Sequence, residues 1–419
     1  MKLQQLFCSW RARQHRLSPV LFWWPTVDYW QRLPQSTKRE TMSGATFCNR
    51  AALLEGMRRY GFDALIAATP ANVTYTSGLD LYTQTLIPDR MVMTLTDANG
   101  VSLLIIWSGE RDKVERDAQV ASVSYYVEFG QSPVATLAAA ITRQGLQRGR
   151  IGVETRFFSI AAFQELTRLL PEASFVDGEE VFTEARMIKT ADEIALLRRV
   201  ARVMDRATQL AAGLARPDES ERSFAGRIVA NLLALAQEEV SGPDGIVAAG
   251  PNAPVMHHVS SHHPIRRGEM VRYGAKCSIL GYWCIILRMA AMAEAAPHQI
   301  DSYARFADIY HSTLEMLHPG VRACDVYTAC RQHVERHGMR LISEKVGHST
   351  GLVFREPPIL QPADHRILQP NMVLAYDYLI LDEHGAPFHI EDRVLVTERG
   401  PVTLSDVIDT RTLAILGEY

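Results

Sequence analysis

The chain has 419 residues, of which 47% are hydrophobic and 22% charged, the composition of an ordinary globular protein with enough apolar material for two domains. A formal net charge of −3, with acids and bases mixed along the sequence, leaves no broad footprint for nucleic acid or an anionic membrane. Small-molecule chemistry is therefore expected. No segment approaches the ~20 continuous apolar residues of a spanning helix, and six thinly spread cysteines point to a reducing, cytoplasmic compartment.

Residues 1–47 read as an N-terminal arm. Arg11, Arg13, His15 and Arg16 precede an aromatic-rich run over residues 20–30, without the longer apolar region and small-residue cleavage site of a signal peptide. Two readings stand, a true start at Met42 or an arm that packs. Residues 48–185 then alternate helical and extended patterns, so an α/β domain is expected. The spacing predicts a helix over 51–60, a buried strand over 62–68, and a turn and loop over 70–78. Strands are predicted over 90–96 and 100–107, joined by the turn at 97–100, and again over 119–127 and 149–154. Helices are predicted over 133–144 and 160–170.

A second domain, residues 186–419, begins with Thr190 and Glu193, spaced as a capping box ahead of a helix over 191–214. Further helices are predicted over 219–237, 300–317 and 322–337. Extended segments fall at 244–249, 269–275, 282–289, 372–380 and 392–397, giving an α/β (α+β) class for the whole chain.

Four blocks carry most of the chemistry: GPNAPVMHH from Gly250 to His258; RGEMVRYGA from Arg267 to Ala275; GHSTGL from Gly347 to Leu352, with Arg355-Glu356-Pro357-Pro358; and PNMVLAYD from Pro370 to Asp377, with Ile390-Glu391-Asp392. In order and spacing they resemble the creatinase, aminopeptidase P and prolidase superfamily, over about residues 48–416. The resemblance implies a C-terminal pita-bread domain, an N-terminal creatinase-type domain, and a homodimer in which the partner's N-terminal domain helps close the pocket.

The same resemblance implies five metal ligands in the metal-dependent members, and here they map to Arg272, Ile285, His348, Asp377 and Glu391. Arginine has only donors and stays protonated, and isoleucine offers nothing to a cation. A two-metal centre is therefore not expected, and Arg272 is read as a positive charge standing in for it. If any ion binds, the expected ligands are His348, Asp377 and Glu391, with Mn, Zn or Co as the alternative cofactor. Arg355 takes the place of a substrate-contacting histidine, so Arg272 and Arg355 are read as binding a substrate carboxylate.

His257 matches the pocket histidine of the family, and with His348, Asp377 and Glu391 it forms the expected catalytic set, able to activate water and protonate a leaving nitrogen. Creatinase, which the resemblance brings in as a metal-free relative, has a guanidinium-binding Glu at the place of Asp377. Its other substrate Glu falls at Leu287, which with Ile285 makes either an apolar substrate subsite or a filled, dead pocket. Cys277 and Cys284 are expected to pack in the core, and His258, His262 and His263 to be solvated.

Three functions follow as expectations. The first is a metal-independent hydrolase or lyase cleaving a C–N bond in a small amino-acid-like or guanidino compound. The second is an Xaa-Pro metallopeptidase with a degenerate site, and the third a non-catalytic binding member.

Overall fold

The computed structural model describes residues 47–87 and 90–417, so the expectations for the arm before Phe47 lie outside the described residues. The first half runs α1 (Arg50–Tyr60), β1 (Ala64–Ala67), α2 (Pro70–Ser77), α3 (Tyr82–Leu86), β2 (Met93–Asp97), β3 (Ser102–Trp107), α4 (Arg111–Asp117), β4 (Ser122–Tyr126), α5 (Pro133–Arg143), β5 (Arg150–Val153), α6 (Ile160–Leu169), β6 (Ser174–Asp177) and α7 (Glu179–Met187). Its six strands form one mixed sheet in the order β4-β3-β2-β1-β5-β6. Leu137 and Ile141 of α5 and Leu166 of α6 pack with Ile66, Leu95 and Ile105 of the strands to make its core.

The expected loop over 70–78 is instead the helix α2. Thr69 caps it by accepting from the Asn72 amide, Pro70 sits in its first turn where a missing N–H costs nothing, and Gly78 ends it in the left-handed region. Reading Pro as a breaker overlooked that it also starts helices.

The second half runs α8 (Ala191–Ala212), α9 (Glu221–Leu235), β7 (Val240–Ala249), β8 (Met270–Ile279), β9 (Tyr282–Met292), α10 (Pro297–Leu314), α11 (Ala323–Arg336), β10 (Arg340–Leu341), β11 (Gly347–Ser349), β12 (Glu356–Ile359), β13 (Val373–Leu381), β14 (Pro387–Thr397), β15 (Gly400–Thr403) and β16 (Ala414–Leu416). The capping box at Thr190 and Glu193 is formed as the spacing predicts. A ten-stranded sheet has the central order β12-β11-β13-β14-β9-β8-β7, with β10, β15 and β16 attached at its margins. The strand expected from 392 begins at Pro387, so it presents five more residues to the sheet.

Alternation divides this sheet into two faces. Tyr376, Tyr378 and Ile390 point to one face, where Phe306 and Tyr310 of α10 and Val334 of α11 cover them. On that side Arg288 binds Asp205 of α8 at 3.1 Å and Asp392 at 2.9 Å, and donates to the carbonyls of Leu287 and Glu391. Asp377, His389 and Glu391 point to the opposite, inner face. At Gly274 a side chain is impossible, because a Cβ there would stand 1.8 Å from the Ile286 carbonyl oxygen of the adjacent strand. Among the described residues no helix is long and apolar enough to cross a membrane.

The candidate active site

The inner face is organised by register. Asp377 on β13 lies opposite Glu391 on β14, and Glu391 lies opposite Leu287 on β9. His389 and Arg393, each two residues from Glu391, share its face. Asp377, His389 and Glu391 bring one ligand atom each within 4.8 Å of one another.

Each of these groups already has a partner. His389 Nε2 donates to Asp377 Oδ1 at 2.6 Å, and its Nδ1 accepts from Arg272 Nη1 at 3.2 Å. With a guanidinium donating to Nδ1, the ring is held neutral with its proton on Nε2. Lys345 Nζ donates to Asp377 Oδ2. Arg393 Nη1 donates to Glu391 Oε1 at 2.7 Å, while Arg393 Nε and Nη2 are buried with no hydrogen-bond partner.

These contacts set the charges. Burial pushes the Glu391 carboxyl up to about 7, assisted by the negative charge of Asp377 and opposed by Arg393. Asp377 goes the other way: burial would raise it, but the His389 hydrogen bond and the Lys345 charge hold it well below the usual carboxylate range. The two carboxylates thus divide the roles of proton-holder and fixed charge. His348 is buried and lowered to about 3 by that burial and by Lys345, so it is neutral, with its Nδ1 bonded to the Ser349 carbonyl at 2.9 Å.

The expected residues are placed as follows. Arg272 is buried on β8, but it does not clasp Asp377 and Glu391 directly. Besides His389 it holds the carbonyls of Val255 (2.7 Å) and Met256 (3.2 Å), and so pins the loop that carries His257. His257 stands exposed on that loop. The adjacent His258 is the anchored one, 2.7 Å from Glu221, whose carboxylate also takes the Ala249 and Ser261 amides. Arg355 is exposed, so convergence of two arginines on the pocket is not observed. Its neighbour Glu356 is buried instead, held by Arg186 and Lys189. Ile285 and Leu287 line the inner face as apolar residues. Cys277 and Cys284 are buried on β8 and β9, and burial pushes Cys284 up to about 11, outside the range of a ready thiolate.

Sequence reasoning missed His389, Lys345 and Arg393. The signal for two of them was simple: on a strand through Glu391, positions 389 and 393 must share its face. Of the expected metal set, Asp377 and Glu391 come together with His389, and these three are the group among the described residues close enough to hold an ion. Two ions do not fit, because Arg272 and Ile285 stand where two aspartates would be. One ion fits only if it displaces Lys345 and Arg393 and breaks the His389 contacts, for both ring nitrogens and both Asp377 oxygens are engaged.

Comparison with known proteins identifies the family and the fold. A family model for the creatinase/prolidase N-terminal domain matches residues 50–188, and one for metallopeptidase family M24 matches residues 195–398. The chain belongs to the creatinase and aminopeptidase P superfamily. A Bacillus subtilis peptidase, YqhT, is 24% identical over 280 residues, covering 67% of this chain and 78% of its own. The Xaa-Pro dipeptidase of Pyrococcus furiosus is 25% identical over 228 residues, covering 54% and 65%. An ectoine hydrolase from Halomonas elongata is 22% identical over 383 residues, covering 84% and 92%. Among solved structures, a dipeptidase from Pyrococcus horikoshii superposes with a TM-score of 0.76 at 23% identity, over 88% of this chain and all of the other. The superfamily fold, with its N-terminal creatinase-type and C-terminal pita-bread domains, is thereby shown.

Proposed function

We propose that the protein hydrolyses a C–N bond in a small carboxylate-bearing substrate, with dipeptides of the Xaa-Pro kind as the first class to test. The observation that carries this reading is the buried cluster in which Glu391 is bonded through Oε1 while Arg393 keeps two guanidinium nitrogens without partners. An unpaired buried donor of that kind is costly unless a ligand completes it. Arg393 would take a carboxylate or carbonyl oxygen of the substrate. Glu391 would receive the proton of the attacking water at Oε2, while the neutral His389, both of whose ring nitrogens are taken, would hold Asp377 and Arg272 in place beside it. His257, on the loop pinned by Arg272, would return a proton to the leaving nitrogen.

The relatives support the peptide form over the guanidino form, since they include Xaa-Pro dipeptidases and since Leu287 offers no carboxylate to a guanidinium. The ectoine hydrolase relative, aligned over most of both chains, adds ectoine as a second compound to test. Within this reading the side chains act without bound metal, because three cations already surround the carboxylates. A second reading, one divalent ion on Asp377, His389 and Glu391, is favoured by their close approach and by the metallopeptidase family model. We take the working unit to be a cytoplasmic homodimer, as composition and resemblance imply.

The test is hydrolysis of Gly-Pro, Ala-Pro and ectoine by chelator-stripped protein, before and after addition of Mn²⁺, Co²⁺ or Zn²⁺, with bound metal measured by mass spectrometry. Turnover that survives stripping and disappears in Glu391→Gln supports the first reading. Turnover restored only with about one equivalent of metal per chain establishes the second. Binding without turnover under every condition overturns both and leaves the non-catalytic member.

A further inference from the structure

A second hollow opens on the inner face, at the end of the sheet nearest the N-terminal domain. It has a volume of about 130 Å³, and its lining includes Thr74, Asp80 and Tyr82 from the first domain and Ser278, Trp283 and Leu352 from the second. Ser278 and Trp283 are register partners on β8 and β9. Alternation puts them on the face that bears Arg272, Ile285 and Leu287. The link to the site is also direct: the Trp283 ring meets Phe354 edge-on at 5.7 Å, and Phe354 meets the His348 ring at 6.3 Å. At ~3.3 Å per residue along β9, the hollow lies ~7 Å from Ile285 and ~13 Å from Leu287, which stands opposite Glu391.

The one charged group in its lining is Asp80. The Gly281 amide hydrogen-bonds its carboxylate, and Gly281 must be glycine there: its φ is +80°, and a Cβ would already stand 3.0 Å from Leu352. No cation pairs with Asp80 among the described residues. Lys113, whose charge acts on Asp80, is held by Asp117 at 3.3 Å and Glu239 at 2.9 Å. Burial raises the Asp80 carboxyl, and the charges of Lys113 and Glu239 oppose one another around it. A carboxylate left half-buried beside apolar and aromatic walls, with one hydrogen bond, costs free energy that a cationic guest would recover. Trp283 and Tyr82 supply ring surfaces that attract such a guest. The volume is close to the ~150 Å³ of an engineered cavity that admits benzene, which suits an ammonium or guanidinium on a short alkyl stem.

We propose that this hollow is a subsite for the cationic end, an alkylammonium or guanidinium, of the molecule whose C–N bond is cleaved at Glu391. The proposal rests on the hydrolase reading and extends it. Antiparallel register sets Arg393 opposite Ile285, between the hollow and Glu391. With Asp80 in the hollow and the unpaired nitrogens of Arg393 ~7 Å along the sheet, the substrate is a zwitterion rather than a simple carboxylate.

The experiment titrates the full chain with n-butylammonium, n-butylguanidinium and the neutral n-butanol, following the Trp283 indole N–H resonance, assigned with Trp283→Phe. The expected result is a saturable shift with either cation, at least tenfold weaker binding in Asp80→Asn, and no comparable binding of butanol. Butanol binding as tightly as the cations, which needs no variant to observe, would overturn the proposal. So would an Asp80→Asn protein with unchanged affinity and an unchanged melt, or the absence of any saturable shift. Because binding rather than turnover is read, failure here leaves the hydrolase reading standing, and failure to hydrolyse any substrate leaves the binding result standing.

Discussion

Glu391 and Asp392 are consecutive residues, yet they belong to two different clusters of buried charge, one on each face of the same sheet. On the helix-covered face, Arg288 engages both terminal nitrogens, with Asp205, Asp392 and two carbonyls, and Tyr310 adds a hydrogen bond to Asp392 at 3.1 Å. On the inner face, Arg393 uses one nitrogen and leaves two without partners. The first cluster, in which Arg288 leaves only Nε without a hydrogen-bond partner, holds strands to helices. The second leaves two of the three guanidinium nitrogens of Arg393 free. The difference is one of degree, and it lies in how many terminal donors are used rather than in burial or charge.

The sharpest way to break this contrast is to remove the carboxyl base on the inner face. Glu391→Gln keeps shape and should lower kcat by about 10³-fold or more, while thermal melting stays within a few degrees; a large fall in melting temperature with activity intact would reverse the two assignments. On the helix-covered face, Arg288→Ala strands two buried aspartates and should cost about 3–5 kcal/mol, read by chemical denaturation. A stable, fully folded variant would show that the triad is not structural.

Glu193 offers a pH test at the domain junction. Buried in its capping box and bonded to Tyr282 at 2.9 Å, it is pushed up by burial from 4.5 to about 7. The fold therefore holds this proton more tightly than the unfolded chain does. Its contribution is fully present below pH 4.5 and is lost as pH rises through 7, a change of about 3 kcal/mol. Stability of Glu193→Gln measured across that window should lack this slope. A smaller effect is expected from Arg393→Leu, a rise in KM of about 10–100-fold for carboxylate-bearing substrates with less change in kcat. The smallest belongs to Arg355→Ala, whose exposed side chain should alter stability by no more than about 0.5 kcal/mol.

Much of the fold was legible because local signals agree with the global arrangement. The Thr190 and Glu193 box starts α8, and the GHSTGL and Ile390-Glu391-Asp392 blocks fall on strands that flank β13 on either side. Substitution at Arg272 and Ile285 was also legible, and it set the expectation against a two-metal centre. What could not be read is pairing across the sheet. Lys345 meets Asp377 over a separation of 32 residues, and nothing in either neighbourhood announces the register that joins them. Arg272 was read as a counter-charge to carboxylates, but its length carries it to His389 and the 255–256 carbonyls. Asp80 gave no signal at all, since its hollow exists only where two domains come together.

Glu356 carries one more consequence. Its two carboxylate oxygens are bound by Arg186 (2.9 Å) and Lys189 (3.1 Å), and Lys189 also reaches the hydroxyl of Ser349, next to His348. Both cations precede α8, in the segment that closes the first domain. A fragment trimmed to begin at Ala191 would carry every residue of the carboxylate cluster and still arrive with a bare anion beneath the His348 loop. For anyone dissecting the chain into parts, the half that carries the carboxylate cluster begins before α8.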